Sequence, residues 1–236
     1  MQGSNWTRFW QSERHAFDEV MQLATKYFAK QLCKAFPIQE GVRVLDYGCG
    51  PGFLADALLP RKVIFTGTDI NEYFINLCKV RYPRETFFTI HTQPGENASL
   101  LKKYVQSPSD YIVLLSISQY LPAPSELEQI IASLKPHLAA GGHIIVADVV
   151  DENTQSYRDA LSLLSHALRK GKLASFVRFM RYVLRSEYAR VAKTTQLQHI
   201  SESFMVEMAE RLKLSCRRVD GLTFHPTRKN YVLRYK

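Results

Sequence analysis

The segment VRVLDYGCGPG, residues 42–52, decides the fold. Its first half is a short apolar run rich in β-branched residues, which predicts a strand, and the glycines that follow predict a sharp turn into a helix. Glycine suits such a turn because its backbone accepts positive φ and lets a ligand approach closely. The N–H groups at the start of the following helix can bind polar groups of that ligand.

The spacing within this turn narrows the class of ligand. The glycines fall at positions 48, 50 and 52, a GxGxG pattern, whereas a dinucleotide-binding turn reads GxGxxG. Asp46, two residues before the first glycine, would repel a pyrophosphate and attract a cation such as the ammonium group of an amino acid. No GK[ST] follows, which excludes a Walker phosphate-binding loop.

A second acidic residue stands where a nucleotide site needs one. Asp69 ends the next apolar run, about 20 positions beyond the glycine turn, and an acid at this distance accepts hydrogen bonds from ribose hydroxyls in doubly wound nucleotide sites. The alternative is that Asp69 only caps a helix beginning at Asn71. Because a glycine turn of this kind precedes Asp69, the ribose-binding role is favoured over the capping role.

Strand and helix patterns alternate as far as residue 150. Besides the strand at 42–45, apolar runs predict strands at 63–68, 87–90, 111–115 and 143–149, and periodic stripes predict helices at 53–59, 71–80, 100–105 and 125–134. Residues 125–128, SELE, predict a capping box, and Gly141-Gly142 predicts a turn into the fifth strand. Alternation implies parallel pairing, because a parallel connection needs a crossover. The pattern predicts a doubly wound α/β sheet.

Helical stripes flank this region on both sides. They predict helices at 6–35, 157–168, 173–192 and 202–212, and strand-like runs at 215–219 and 230–235 predict an antiparallel pair at the sheet edge. We expect one domain over residues 1–236. Residues 1–36 would form an N-terminal helical cap, and residues 152–200 a helical insertion on the acceptor side.

Composition excludes several classes of protein. Of the 236 residues, 46% are hydrophobic and 11% aromatic, which indicates a packed core rather than disorder. No apolar run reaches the roughly 20 residues of a membrane-spanning helix, and the N-terminus lacks the layout of a secretion signal. The four cysteines are scattered, without a CxxC pair or zinc spacing. We therefore expect reduced thiols, no metal site and a cytoplasmic location.

The formal net charge of +9 fits an anionic partner or a merely well-solvated surface. Many cations fall within the predicted insertion, namely Arg169, Lys170, Lys172, Arg178, Arg181, Arg185, Arg190 and Lys193. A solvated face is the favoured interpretation. Attraction of an acidic substrate, a carrier domain or an anionic membrane comes next. Nucleic acid comes last, because no RNA-binding module accompanies the fold.

Residues 46–52, DYGCGPG, resemble the first motif, DxGxGxG, of the class I S-adenosylmethionine (SAM)-dependent methyltransferases. Asp69 takes the place of that family's ribose-binding acid. Residues 110–122, DYIVLLSISQYLP, are similar to its fourth motif, and residues 134–142, LKPHLAAGG, to the approach to its fifth strand. The resemblance covers residues 40–150 and the closing strand pair. It implies a Rossmann-like, seven-stranded, mostly parallel sheet that binds SAM.

The resemblance also implies the residues that contact the cofactor. We expect these to be Asp46, Gly48, Cys49, Gly50, Gly52, Asp69, Ile70, Gln93 and Ser116. Gln93 and Ser116 depart from the family pattern, which often has an acid near the adenine amino group and Asn or Asp after the fourth strand. Since the metal-dependent relatives need an acidic ligand at the position of Ser116, we expect no metal.

Methyl transfer is an in-line displacement whose electrophile belongs to the cofactor, so the protein mainly binds and orients the reactants. An oxygen or nitrogen acceptor also calls for a general base. The candidates are His15, Tyr120, His199, His225, Asp148 and Asp151. We select Tyr120 and His15, although each histidine taken alone fits a surface or capping role, and Asp151 fits the start of a loop.

The helices before and after the sheet predict two covers over the acceptor. Trp6, Phe9 and Trp10 provide either a rigid aromatic lid or ordinary core. Two covers would enclose a small molecule and leave little room for a folded polynucleotide. The leading function is therefore methylation of an oxygen, nitrogen or carbon atom of a small acceptor in secondary metabolism, the acceptor being acidic or carrier-bound. An RNA or protein methyltransferase and a SAM-binding protein that does not methylate are the alternatives. The oligomeric state is left open.

Overall fold

The computed structural model describes residues 5–11, 18–154 and 194–236, together with isolated positions between 158 and 191. Several expectations lie outside these described residues. They are the helices at 157–168 and 173–192, His15, and the cations of the insertion other than Arg181 and Arg190.

A seven-stranded sheet forms the centre of the protein. Its strands are β1 (Arg43–Tyr47), β2 (Ile64–Asp69), β3 (Thr86–Thr89), β4 (Ser109–Leu115), β5 (Leu138–Val149), β6 (Leu214–Arg218) and β7 (Lys229–Tyr235). Their order is β3-β2-β1-β4-β5-β7-β6. Strands β1 to β5 are parallel, and β7 runs antiparallel to both β5 and β6. The predicted sheet and its antiparallel C-terminal pair are confirmed.

Helices cover both faces of the sheet. They are α1 (Asn5–Gln11), α2 (Asp18–Ala35), α3 (Phe53–Leu58), α4 (Glu72–Arg81), α5 (Ala98–Tyr104), α6 (Pro124–Leu134) and α7 (Glu202–Arg211). Successive residues of a strand enter opposite cores: Leu45 and Ile112 pack with α5, α6 and α7, whereas Val44 and Val113 pack with α2, α3 and α4. This double burial explains why the central strands are continuous apolar runs.

Two local predictions are wrong. Helix α6 begins without a capping box, because its N-cap is Ala123 and Pro124 already supplies a helical φ at the first position. Glu128 instead makes a bidentate ion pair with Arg211 on α7. Strand β5 begins at Leu138 rather than His143, since Leu138 already pairs with Ser109 of β4, and Gly141-Gly142 lies within the strand.

Within the described part of the chain, none of the helices combines the length and the apolar character needed to cross a membrane.

Candidate active site

A cavity of about 420 Å³ opens at the carboxyl ends of β1, β2, β4 and β5. Its volume is in the range of small-molecule sites. The strand order reverses between β1 and β4, and ligands of doubly wound sheets bind at such a switch point. The glycine turn after β1 lines one end of the cavity, and residues following β4 and preceding β7 line the other.

The three glycines of the turn all have positive φ, at +85° for Gly48, +51° for Gly50 and +85° for Gly52. A Cβ atom on Gly48 would lie 2.6 Å from Cγ2 of Ile117, and one on Gly52 would lie 2.9 Å from Sγ of Cys78. A Cβ on Gly50 would meet nothing within 4 Å. Two glycines therefore permit close packing, whereas Gly50 leaves open space beside the cavity.

Asp46, the fourth residue of β1, brings a buried carboxyl group to this end of the cavity. Only 3% of the residue is exposed, and no hydrogen bond reaches its side chain from the described residues. Burial, together with the nearby carboxylate of Asp69, raises the pKa of Asp46 to about 8. A cationic ligand group beside Asp46 would favour its ionised form.

Asp69 ties the end of β2 to the glycine turn. Its Oδ2 accepts a hydrogen bond from the N–H of Gly50 at 2.8 Å, and its Oδ1 accepts one from the N–H of Asn71 at 2.8 Å. Burial raises the pKa of Asp69, and these backbone donors oppose that shift. Asp69 does not cap α4, because Asn71 is the N-cap and accepts from the N–H of Phe74. The carboxylate of Asp69 lines the cavity.

The other end of the cavity contains two residues in an uncommon backbone conformation. Ser116, directly after β4, has φ of 58°, and Asp148, near the end of β5, has φ of 64°. Non-glycine residues rarely occupy this left-handed region, and they often mark functional sites when they do. The Oγ of Ser116 donates to Oδ2 of Asp148 at 2.7 Å. The backbone N–H of Asp148 donates to Oδ1 of Asn230 on β7 at 3.1 Å.

His225 completes this cluster from the loop before β7. Its Nδ1 lies 2.8 Å from Oδ1 of Asp148. Burial alone would raise the pKa of Asp148, but His225, Arg228 and the hydroxyl of Ser116 together bring it below its usual value. Asp148 is therefore ionised at neutral pH. The three side chains Ser116, Asp148 and His225 all line the cavity.

Arg228 brings a positive charge to the same end. Its Nε donates to Oδ2 of Asp159 at 3.0 Å, and the side chain is 14% exposed. Its Nη1 is buried and has no hydrogen-bond partner among the described residues. Because an unsatisfied buried donor costs free energy, this nitrogen is suited to an oxygen atom of a ligand.

Helix α1 covers the cavity with aromatic side chains. The rings of Trp6 and Trp10 lie 5.2 and 4.9 Å, centroid to centroid, from that of Tyr120. Trp6 and Phe9 are buried in a small cluster separate from the two sheet cores, and Thr7 and Trp10 line the cavity. This aromatic cluster of α1, hereafter the lid, therefore packs beside the cavity and outside the two sheet cores.

Three hydrogen bonds attach this lid to distant parts of the chain. Nδ2 of Asn5 donates to Oγ1 of Thr195 at 2.8 Å, and Nε1 of Trp6 donates to the carbonyl of Thr195 at 3.1 Å. Nδ2 of Asn71 donates to the carbonyl of Trp10 at 2.7 Å. The lid therefore joins the segment before β6 to the glycine-turn end of the cavity.

Comparison with known proteins agrees with this geometry. Residues 45–144, which include the glycine turn and β1 to β5 as far as Ile144, match the family model of a methyltransferase domain. Over these residues the chain resembles that family. The sequence-based recognition of a SAM-dependent methyltransferase is confirmed.

Individual relatives of the methyltransferase domain are distant. CymA of Salinispora arenicola, a probable non-canonical nonribosomal peptide synthetase, is 32% identical over 110 residues, which are 45% of this chain and 1% of that protein. A ubiquinone biosynthesis O-methyltransferase of Coxiella burnetii is 23% identical over 197 residues, covering 82% of this chain and 72% of that protein. Magnesium protoporphyrin IX methyltransferase (ChlM) of Synechocystis PCC 6803, solved with bound SAH, superposes with a TM-score of 0.59 at 14% identity, over 98% of this chain and 93% of that one.

Most of the predicted cofactor-binding residues line the cavity, namely Asp46, Gly48, Cys49, Gly50, Asp69, Ile70 and Ser116. Gly52 instead lies behind the turn, against Cys78 and Tyr82. Gln93 is exposed and lines a neighbouring cavity of about 430 Å³ together with Thr92 and Glu96. The contacts of all nine residues with SAM stay predictions.

The structure shows which of the candidate general bases lie at the cavity and which do not. Tyr120 lines the cavity, whereas His199 is exposed and away from it. Asp151 accepts hydrogen bonds from the N–H of Asn153 and the hydroxyl of Thr154, which places it at the start of a loop as expected. A surface position for His225 is wrong, because the buried carboxylate of Asp148 fixes its ring beside the cavity.

The pairing of Asp148 with His225 escaped the sequence analysis, although one signal was present. Residues 225–228, HPTR, directly precede the last strand, and β7 pairs with β5, which carries Asp148. Once β7 is placed beside β5, the loop before it must reach the carboxyl end of the parallel strands.

Among the described residues, no group of three or more His, Cys, Asp or Glu side chains is arranged to hold a metal ion.

Proposed function

We propose that this methyltransferase domain moves a methyl group from SAM to an oxygen, nitrogen or carbon atom of a small acceptor held in the same cavity. One observation carries the proposal. One cavity at the switch point of the sheet has the glycine turn and the carboxyl groups of Asp46 and Asp69 at one end, and a histidine–carboxylate pair at the other.

The glycine-turn end fits the amino-acid and ribose parts of SAM. Asp46 is buried without a hydrogen-bond partner among the described residues and would hold the ammonium group. The open space beside Gly50 lets a ligand approach the backbone, and Asp69 would accept hydrogen bonds from the ribose hydroxyls. When bound, SAM supplies an electrophilic methyl group on a positively charged sulfur. The protein contributes orientation and exclusion of water.

The acceptor in this proposal is small, and it is acidic or carrier-bound. Trp10 and Tyr120 roof the cavity, which favours a small acceptor over a folded polymer. Nη1 of Arg228 is a buried donor without a partner in the part of the chain that the structure describes, and a carboxylate of an acid or a carbonyl of a carrier-bound acyl group would satisfy it. Both kinds of acceptor present an oxygen atom, so Arg228 supports them equally.

Calorimetric titration with S-adenosylhomocysteine (SAH) tests the cofactor part of the proposal. Saturating SAH at about 100 times its Kd adds roughly 2.7 kcal/mol of stability and raises the Tm by about 5–10 °C. Asp69→Ala removes a charged acceptor from both the ligand and the N–H of Gly50, so we expect the Kd to rise by at least about 100-fold. Asp69→Asn, which keeps one oxygen acceptor, is expected to be intermediate.

The matched control is Asp220→Ala, which removes a carboxylate from an exposed position beside Arg218. Its SAH affinity is expected to equal that of the wild type. If saturating SAH leaves the Tm of the wild type unchanged, the proposed function is wrong. Release of SAH from SAM in the presence of pooled small acids, phenols and amines distinguishes a methyltransferase from a protein that only binds SAM.

A further inference from the structure

The cluster at the β4 and β5 end joins residues from three separate parts of the chain. Ser116 follows β4, Asp148 lies near the end of β5, and His225 precedes β7. Hydrogen bonds of 2.7 and 2.8 Å connect both Oδ atoms of Asp148 to the other two side chains. The cofactor-binding role proposed above, at the opposite end of the cavity, uses neither Asp148 nor His225.

We propose that His225 is the general base that removes a proton from the acceptor, and that Asp148 positions it. The proposal rests on the proposed function and assigns the acceptor to the O–H or N–H class rather than to carbon. His225 is thus the catalytic residue of the methyl transfer, and Asp148 is a positioning residue.

The protonation of the pair determines which ring nitrogen is the base. The Asp148 carboxylate has no proton to donate, so Nδ1 of His225 must carry the hydrogen that joins them. A neutral imidazole with hydrogen on Nδ1 has its lone pair on Nε2. Nε2 has no hydrogen-bond partner among the described residues, and the His225 side chain lines the cavity.

Asp148 is held in place more firmly than a surface carboxylate would be. It is 6% exposed, its backbone N–H is bonded to Asn230, and Ser116 occupies its second oxygen. Ser116 and Asp148 both hold a left-handed backbone conformation, and hydrogen bonds at Asp148 join its side chain to those of Ser116 and His225.

Charged groups lie close to the pair formed by His225 and Asp148. Asp148 stabilises the imidazolium that forms, and Arg228 lies close enough to lower the pKa of Asp148 and keep that carboxylate ionised. Asp159 neutralises Arg228 through the ion pair at its Nε. Among the described residues, Tyr120 on the lid side is the other titratable group that interacts with Arg228.

The proton balance is simple. The O–H or N–H bond of the acceptor breaks, its proton goes to Nε2 of His225, and the electron pair stays on the acceptor atom to form the bond to the methyl carbon. The carbon–sulfur bond breaks with its electron pair on sulfur, so the sulfonium becomes a neutral thioether. His225 then loses the proton to solvent, and no oxidant or reductant is needed.

Nitrogen NMR of histidine-labelled protein tests the assignment without a known acceptor. In long-range ¹H–¹⁵N spectra at pH 8, we expect His225 to show a protonated Nδ1 and an unprotonated Nε2, with SAH absent or saturating. His225→Gln identifies the signal, and exposed His199 provides an internal reference. Asp148→Asn is expected to transfer the hydrogen of His225 to Nε2, because an amide N–H donates to Nδ1.

A protonated Nε2 in the wild type, or a tautomer unaffected by Asp148→Asn, would overturn the proposal. The SAH affinity of His225→Gln is expected to stay within about threefold of the wild type. A larger loss would place His225 in the cofactor site instead and would also overturn it. With an acceptor found by the pooled assay, turnover by His225→Gln should fall by roughly 10²–10⁴-fold. Failure of the wild type to bind SAH would contradict the proposed function, while the tautomer of His225 would still be measurable.

Discussion

The two ends of the cavity are built in different ways. At the glycine-turn end, the polar groups come from neighbouring strands β1 and β2, and one of them, Asp46, is buried without a hydrogen-bond partner among the described residues. At the other end, Ser116, Asp148 and His225 come from distant segments and satisfy one another. Their pKa shifts also have opposite directions, since that of Asp46 is raised and that of Asp148 is lowered.

This difference separates binding from chemistry. A buried carboxyl group without a partner costs free energy until a ligand supplies one, so the glycine-turn end gains stability when it is filled. A carboxylate already bonded to a hydroxyl and an imidazole is preorganised and needs no ligand to stay in place. The first end therefore has the character of a cofactor site, and the second that of a site where a proton moves.

The largest effect that distinguishes the two ends is expected from Gly50→Ala. A methyl group there meets no protein atom within 4 Å and lies beside the cavity, so it would occupy ligand space. We expect the Kd for SAH to rise at least about 100-fold, equivalent to about 2.7 kcal/mol. The folded protein should lose only about 1–2 kcal/mol for the left-handed backbone. Calorimetry and denaturant unfolding measure the two quantities separately.

Gly41→Ala is the matched control for this substitution. Gly41 also has positive φ, at +82°, and also has nothing within 4 Å of an added Cβ, but it lies before β1 and away from the cavity. It should lose similar stability and keep full SAH affinity. Equal affinity losses in both variants would mean that Gly50 acts through backbone strain and not through contact with the ligand.

An effect of similar size is expected from the opposite pKa shifts. With a pKa of about 8 against an ordinary 3.8, folded Asp46 keeps a proton that the unfolded chain loses between about pH 4 and 8. This group therefore lowers the free energy of unfolding by up to about 1.4 kcal/mol per pH unit as the pH rises through that window. Asp46→Asn removes the slope, so its stability relative to the wild type should increase from pH 5 to 7. Urea unfolding at each pH measures the difference.

Asp148→Asn, measured in the same urea-unfolding experiment, tests the opposite pKa shift at the other end of the cavity. The folded-state pKa of Asp148 is below its ordinary value, so the stability it contributes is complete above about pH 4 and is lost only as the pH falls through the folded pKa. Measured in a His225→Gln background, which removes the imidazole that Asp148 contacts, its stability difference from the parent protein should be constant between pH 5 and 8. If the stability difference of Asp148→Asn changed with pH as that of Asp46→Asn does, the pKa shifts at the two ends of the cavity would not be opposite.

The arrangement of the glycine-turn end could be predicted from the sequence because the residues that form it lie close together in the chain. Asp46 and Asp69 lie on the adjacent strands β1 and β2, Gly50 lies in the turn that follows β1, and glycine spacing reports backbone conformation directly. The sheet was predictable for the same reason, since periodicity shows burial on one or both faces. The boundaries of β5 and α6 were not, because pairing with Ser109 and the fixed φ of Pro124 are set by neighbours rather than by pattern.

The β4 and β5 end was only partly predictable. The sequence indicates a site role for three residues at this end, Ser116, Asp148 and His225. Their spacing does not show that they meet, since 77 positions separate Asp148 from His225. Their contact depends on β7 inserting antiparallel between β5 and β6. An isolated histidine in a loop more often lies at the surface, so its interpretation changes only when its partner is known.

The smallest effect concerns the lid that spans both ends. Thr195→Val removes the hydroxyl that accepts from Nδ2 of Asn5, while the bond from Trp6 to the carbonyl of Thr195 remains. Losing one such bond costs about 1 kcal/mol, so amide hydrogen exchange within α1 should accelerate roughly fivefold. Thr195→Ser keeps the hydroxyl and should exchange like the wild type. If α1 only shields the aromatic cluster, SAH will dissociate equally fast from both variants; if it closes the cavity, dissociation will be faster from Thr195→Val alone.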